Sequence, residues 1–388
     1  MNKKIKIIHI CDKFGRKGST IHGVSRLFQW WMPLFNSNLF DVKLVGLRKQ
    51  DKACENLIDQ GINIKSLARG KFDLFTLKDI VNIIKQENAD IVHLHGYGAS
   101  NFGIAAARIT GIKCVVHEHF VDPAYPGYQL PFDYFLAPRA DMGIAICESV
   151  KEFMVNKRYF RRNNVKVVFN GIPINNFTHK EKSLVLEEKK RLGLPDDHKI
   201  IASIGRLDEQ KGNCYFIAAA AKLLKKNNKL KFLLVGDGPL MNDLKEQTRK
   251  LNIQDYVIFT GHYQDIPLLQ SMIDIQVFPS IWEGTTLTIF EAFAMSLPVV
   301  STNADGLGEV VKNEINGLSV VPKDSQLFAD AIEELINNPE KAERLAKNGN
   351  EEIKKYDISL CVKNIENIYT ELMSLRKDCL SVVGVSVI

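Results

Sequence analysis

Short apolar runs alternate with amphipathic segments along almost the whole chain, and the alternation occurs in two successive sets. Residues 5–10, 42–47, 91–94, 114–117, 142–146 and 165–169 read as buried strands, with helical spacing between them at 24–35, 77–87 and 100–110. Strands covered on both faces are continuously apolar, and strands that alternate with helices build parallel sheets. Asn170-Gly-Ile-Pro173 then has the turn chemistry of a linker. Beyond it, 200–204, 231–235, 257–259, 275–278, 299–301 and 318–320 form a second set of strands, with helices at 215–226, 239–251 and 326–337. The fold class expected is α/β, with two Rossmann-like domains at 1–170 and 171–356 facing each other across a cleft. A charged helix at 180–190 precedes the second set, 342–353 is helical, and 360–375 is a closing amphipathic helix within 357–377. The tail, 378–388, is apolar and fits an edge strand, a membrane-touching segment or an irregular end.

A length of 388 residues allows two separate cores. Charge is uneven. Residues 1–170 hold 25 Lys and Arg against 15 Asp and Glu, a net of +10, whereas residues 171–388 hold 26 against 30, a net of −4. The first half suits either a solvated basic surface or an anionic neighbour such as a phospholipid surface or an acidic acceptor. The seven cysteines show no Cys-x-x-Cys pair and read as reduced thiols of a cytoplasmic protein. No run approaches the ~18 apolar residues of a membrane span, so any contact with the inner face of the cell membrane is peripheral. The amino-terminal residues read as a first strand, not a signal peptide.

The chemistry concentrates where strands run into loops. Glu283-Gly-Thr-Thr-Leu-Thr-Ile-Phe-Glu291 leads from a strand into a helix, with two carboxylates framing Gly284, Thr285, Thr286, Leu287 and Thr288. A helix N-terminus after a parallel strand presents amides to an anion, and fixed carboxylates suit sugar or ribose hydroxyls. Ile204-Gly-Arg-Leu-Asp-Glu-Gln-Lys-Gly212 sets Arg206 and Lys211 after the turn at Gly205, two cations that match a diphosphate. Gly236 in Val235-Gly-Asp-Gly-Pro239 and Gly261 in Phe259-Thr-Gly261 end strands with small residues that let a ligand approach, and His262 and Tyr263 follow, placed to flank a nucleobase.

In the first half, the glycine-rich segment 13–24 opens a helix but is neither a Gly-x-Gly-x-x-Gly fingerprint nor a P-loop, so nicotinamide binding is poorly supported. Val115-Val-His-Glu-His119, with His93 and His95, offers a metal reading, although no Cys or carboxylate has metal spacing. The other reading places His117 at a strand end against a ligand hydroxyl. No Asp-x-Asp exists to hold a divalent ion against a diphosphate. Residues 28–35 read as helix core, and 157–162 as a basic aromatic segment open to an anionic bilayer or acceptor. No nucleic-acid module is recognisable.

Together these segments resemble the retaining GT-B glycosyltransferases of family 4. Residues 203–212 resemble the family's basic diphosphate motif, 234–239 its G-x-G-P turn, and Glu283 to Glu291 its E-x7-E motif. Residues 306–311 with 316–322 resemble its closing segment. The resemblance implies transfer of a sugar from a UDP- or GDP-sugar to a hydroxyl of a glycan or lipid-linked glycan, with retention and without metal or other cofactor. It implies that Arg206 and Lys211 stabilise the leaving diphosphate, Glu283 holds the donor sugar and Glu291 its ribose. Backbone amides of 285–288 would meet sugar and phosphate. His117 would sit near the anomeric carbon, Gly18 to Gly23 would close over the donor, and the last helix would cross back to the first domain. Thr286 stands where many relatives have glycine, and Ile21-His22-Gly23 where a Gly-Gly pair is common. His22 and His119 are candidate contacts for donor or acceptor. Two rivals are a nucleotide-sugar epimerase, with His117, Glu118 and His119 as acid/base groups, and a binding protein of the same fold without turnover.

Overall fold

The structure, a computed structural model, describes residues 3–15 and 23–382, with side chains as far as residue 374. Gly18 and His22 lie outside the described residues, as does 383–388. The chain divides into two compact units, Met1–Asn170 with Ile358–Ile388, and Gly171–Asp357.

The first unit has strands β1 (Ile5–Cys11), β2 (Phe40–Gly46), β3 (Ile64–Ser66), β4 (Ile91–His95), β5 (Lys113–Glu118), β6 (Met142–Ala145) and β7 (Val165–Val167). Its helices are α1 (Gly23–Trp31), α2 (Lys52–Asp59), α3 (Phe75–Glu87), α4 (Tyr97–Thr110), α5 (Gln129–Leu136) and α6 (Glu148–Asn156). The sheet is parallel, in the order β3-β2-β1-β4-β5-β6-β7. β4 is buried along its whole length, as a strand with helices on both faces must be. Trp31 and Phe28 are buried as helix core, but α1 stops at Trp31 because Pro33 cannot continue it, and Met32–Leu34 tightens into a 3-10 turn. β3 shows no strand signal in the sequence: it is three residues long, with Ile64 alone buried.

In the second unit come α7 (Lys182–Arg191), β8 (Lys199–Ile204), α8 (Asn213–Leu224), β9 (Leu230–Val235), α9 (Met241–Lys250), β10 (Val257–Gly261) and α10 (Ile266–Gln270). There follow β11 (Ile275–Phe278), α11 (Leu287–Ala294), β12 (Val299–Thr302), α12 (Asp305–Val310), β13 (Leu318–Val320), α13 (Ser325–Asn337) and α14 (Pro339–Glu352). The parallel order is β10-β9-β8-β11-β12-β13. In each sheet the strand order reverses beside the first strand, and ligands of such sheets bind at the strands' C-terminal ends near that reversal.

The last helix, α15 (Ile358–Val382), belongs to the first unit. Its Glu366 accepts the amide of Asn36 at 2.7 Å. Ile365 and Tyr369 are fully buried. The helix runs on through Val382, so the first residues of the apolar tail are helical and not an edge strand.

Candidate functional site

In the second unit the strand ends are drawn together by glycines. Gly236 has φ +127°, and a Cβ there would lie 2.0 Å from the Gly205 carbonyl oxygen. Its amide donates to Gly261 O at 2.8 Å, so the ends of β8, β9 and β10 meet. After β8, Asp208 accepts from the amide of Lys211 and shapes a 3-10 turn over Glu209–Lys211. Gly212 closes that turn at φ +60°, where a Cβ would fall 2.1 Å from the Pro279 carbonyl oxygen. The loop after β8 therefore lies against the end of β11, and Ile281 N donates to Gln210 O at 2.8 Å.

That approach brings the two sequence motifs into one site. Lys211 Nζ forms an ion pair with Glu283, and Gln210 Nε2 donates to the other Glu283 oxygen at 3.1 Å. Glu283 is buried, and its amide donates to Asp305 Oδ2 at 3.1 Å. Burial holds the Asp305 carboxyl above the usual carboxylate range, and the bond from Glu283 N opposes that shift. Asp305 also has φ +41°, outside the ordinary region for a residue with a side chain. Arg206, half-buried, pairs with Asp208.

Thr286 is the N-cap residue of α11, yet no side chain caps that end. The Thr286 hydroxyl instead meets the Thr288 hydroxyl at 3.0 Å. The Thr285 hydroxyl is buried with no hydrogen-bond partner among the described residues. A helix start of this kind leaves amides and a hydroxyl for a ligand to satisfy. Gly284 and Leu287 are buried beside it, and Glu291 lies in the second turn of α11 with 0% exposure. Gln210 and Asp305 are functional candidates that sequence reasoning passed over. Gln210 sits inside the diphosphate motif, but Asp305 lies 22 residues from Glu283 and had no local signal.

In the first unit the strand-end histidine is not the one expected. β5 runs to Glu118, so His117 lies inside the strand with 1% exposure, and the half-buried residue just past the strand is His119. Parallel register sets His9 beside His93 and His95 beside His117, all on one face of the sheet. His9 is a fifth member of the cluster, and its position among the apolar residues of β1 was the available signal. His9, His93 and His95, and again His95, His117 and His119, bring their ring nitrogens within 4.8 Å, so the metal reading's histidines do meet. In the structure these nitrogens contact one another directly: His9 Nδ1 to His95 Nε2 at 3.1 Å, His93 Nε2 to His117 Nδ1 at 3.2 Å, and His95 Nδ1 to His119 Nε2 at 3.0 Å. Gly23, the first residue of α1, is exposed.

The basic aromatic segment 157–162 also departs from its expected exposure. Arg158 is fully buried and Phe160 nearly so. The guanidinium pairs with Glu118 and, through Nε at 2.8 Å and Nη2 at 3.1 Å, with Asp133. Tyr125 Oη donates to Asp133 at 2.8 Å, and the Tyr97 ring lies 4.8 Å from the guanidinium carbon. Burial raises the Glu118 carboxyl above its ordinary range, while Arg158 opposes the shift.

Two family profiles match the chain: "Glycosyl transferases group 1" over residues 185–352 and "Glycosyltransferase Family 4" over residues 35–176. The UDP-Gal:alpha-D-GlcNAc-diphosphoundecaprenol alpha-1,3-galactosyltransferase of Escherichia coli is 28% identical over 390 residues, covering 96% of this chain and 98% of that protein. The alpha-monoglucosyldiacylglycerol synthase of Streptococcus pneumoniae is 30% identical over 277 residues, 67% of this chain and 62% of that protein. Among solved structures, Anabaena Alr3699/HepE in complex with UDP superposes with a TM-score of 0.83 at 21% identity, covering 95% of this chain and all of that one.

Proposed function

Because the chain belongs to the GT-B glycosyltransferases of family 4, or group 1, we propose that it moves a hexose from a UDP-sugar to a hydroxyl of a lipid-linked glycan, with retention and without a metal. The observation that carries this reading is the Lys211–Glu283 ion pair beside the uncapped start of α11. An arriving diphosphate competes for Lys211 and Arg206. Glu283 is then released from its lysine to accept sugar hydroxyls, while the amides of α11 and the Thr285 hydroxyl meet phosphate or sugar. The C1–O bond to the diphosphate breaks as the acceptor oxygen bonds C1 on the same face. The acceptor proton passes to the departing phosphate oxygen. Fixed cations at the developing negative charge supply the main stabilisation. Glu291 is assigned to the ribose. His117, near the end of β5, is assigned to the sugar close to its anomeric carbon, and His119 to a donor or acceptor hydroxyl.

UDP is preferred over GDP because the Escherichia coli relative is named for UDP-Gal and the Anabaena structure contains UDP. The lipid-linked acceptor rests on the same relative, whose named acceptor is a diphosphoundecaprenol. Incubation with UDP-, GDP- and ADP-hexoses and measurement of freed nucleotide should show release from a UDP-hexose, raised by a polyprenyl-diphosphate-linked sugar. No release and no binding of any donor would sink the reading. A changed sugar without an acceptor would favour an epimerase.

The acceptor reading has support in α5, which is turned inside out. Its Gln129 and Asp133 are buried among Asn101 and Arg158, while Leu130, Phe132 and Phe135 are exposed. The Phe72 and Tyr128 rings meet at 5.6 Å, and Lys71 lies over both, joining Phe72 to the residue before α5; Leu74 (80% exposed) and Phe75, next along the chain, are exposed as well. Lys71, Arg139 and Arg161 are exposed on this unit, and no helix among the described residues is long and apolar enough to cross a membrane. Aromatic side chains with flanking cations suit insertion at an anionic lipid surface. The protein is expected to sediment with vesicles of phosphatidylglycerol more than with phosphatidylcholine. Phe132→Ser with Phe135→Ser should weaken that partition by about 100-fold or more, since each buried aromatic contributes about 1.5–3 kcal/mol. Equal sedimentation of variant and parent, both folded by circular dichroism, would remove this surface from the proposal.

A further inference from the structure

Tyr369 of α15 joins the five histidines into two lines that start from one hydroxyl. Its Oη lies 2.6 Å from His93 Nδ1 and 3.0 Å from His9 Nε2. The first line continues from His93 to His117. The second runs from His9 to His95 and on to His119. A neutral imidazole has one N–H and one bare nitrogen, so fixing either nitrogen fixes the other. The hydroxyl has a single proton, so it donates to one line and accepts from the other.

The two distances choose between the alternatives. The shorter contact suits the O–H donor and the longer one an N–H donor to oxygen. Tyr369 then donates to His93 Nδ1, His93 donates from Nε2 to His117 Nδ1, and His117 is left with Nε2–H. In the other line His9 donates from Nε2 to Tyr369, so its Nδ1 accepts from His95 Nε2–H, and His95 Nδ1 accepts from His119 Nε2–H. His119 is thereby fixed as the Nε2–H tautomer. In this register all five rings are Nε2–H tautomers; the two outer rings, His117 and His119, have centroids 4.3 Å apart. Reversing the hydroxyl would reverse all five.

We propose that Tyr369 is a positioning residue that holds this tautomeric register, so that His117 presents its Nε2–H as a hydrogen-bond donor to a hydroxyl oxygen of the sugar or acceptor. Burial keeps the inner rings neutral: it takes His9 down to about 3 and holds His93, His95 and His117 well below the ordinary histidine range. His117 Nε2 is buried with no hydrogen-bond partner among the described residues, as is Nε1 of Trp31, whose ring stacks on His117 at 5.5 Å. Both are donors in this register, and a hydroxyl oxygen is the group that buried donors lack.

The role at the sugar rests on the glycosyl-transfer reading, but the tautomers do not. Two-bond proton–nitrogen correlation spectra of the full chain labelled with 15N-histidine should show Nε2–H at His9, His93, His95, His117 and His119 between pH 5 and 8. Nδ1–H at His117 or His119, or a transition metal bound in stoichiometric amount by elemental analysis, would overturn the register. Tyr369→Phe removes the shared proton and should give mixed tautomers in the two lines. With UDP-hexose and a polyprenyl-diphosphate sugar, it should lower kcat about tenfold, the size of one lost hydrogen bond, with the donor KM within twofold. An unchanged kcat in a folded variant would overturn the positioning role. Absence of transfer by the parent protein would instead strike the glycosyl-transfer reading, leaving the spectra to decide the register.

Discussion

Lys211→Ala is expected to lower kcat/KM for sugar transfer by at least about 100-fold, or about 2.7 kcal/mol of transition-state stabilisation. The lysine is mostly buried and pairs with the Glu283 carboxylate. Its loss removes the cation that answers the leaving diphosphate and leaves Glu283 without its counterion. Two effects therefore act on the same step. Electrostatic repulsion of the diphosphate by an unbalanced Glu283 raises the donor KM, and the missing charge at the departing oxygen lowers kcat. Steady-state kinetics with varied UDP-hexose separates the two, and circular dichroism checks the fold. Activity within threefold of the parent would show that Lys211 does not bear the leaving group's charge.

Arg158→Met is expected to cost about 3–5 kcal/mol of stability near pH 7, the penalty for leaving a buried charge without its partner. Methionine keeps much of the volume, so the loss is electrostatic. Glu118 and Asp133 are almost wholly buried, and Arg158 is the cation shared between them. The sign of the pH dependence follows from Glu118, whose carboxyl is already raised by burial against the pull of Arg158. Without the arginine it rises further. A raised folded-state pKa means that the native state binds the proton more tightly than the unfolded chain. Stability is then fully present below the unfolded carboxylate range and is lost as pH rises through the folded value. Urea unfolding should therefore show the deficit of Arg158→Met growing from pH 5 to pH 7. A deficit that is the same at both pH values would mean the carboxylates do not set it. Because α5 hangs on Asp133, the variant should also loosen the aromatic surface that the helix presents.

Much of the second unit's site was legible because its chemistry is local in sequence. Arg206 and Lys211 share one loop, and Glu283, Thr285, Thr286 and Glu291 share another. The strand before each loop announces itself by an apolar run, since both faces of a parallel sheet are covered. The pairing of Lys211 with Glu283 needed the structure, because a glycine at residue 212 must let the two strand ends touch before the side chains can meet. Asp305 joined the site through a backbone amide, a contact that leaves no pattern in residue types.

The first unit was less legible. α5 was missed because its polar residues face inward and its apolar ones outward, the reverse of the periodicity that marks a surface helix. Arg158 read as an exposed cation because its two carboxylates lie 25 and 40 residues away. His117 was placed at the strand end because the extent of β5 cannot be read to within two residues, and in a strand a shift of that size exchanges an interior ring for a terminal one.

By itself, the sequence determined two parallel α/β sheets and the membership of the diphosphate and E-x7-E loops. Periodicity and short-range spacing are properties of neighbouring residues, and they survive without coordinates. Only the tertiary structure decided which charges are paired, how far β5 extends past His117, and that a tyrosine 360 residues from His9 lies 3.0 Å from its ring nitrogen. Burial and hydrogen bonding depend on distances across the fold, and these are set when sheet and helices pack.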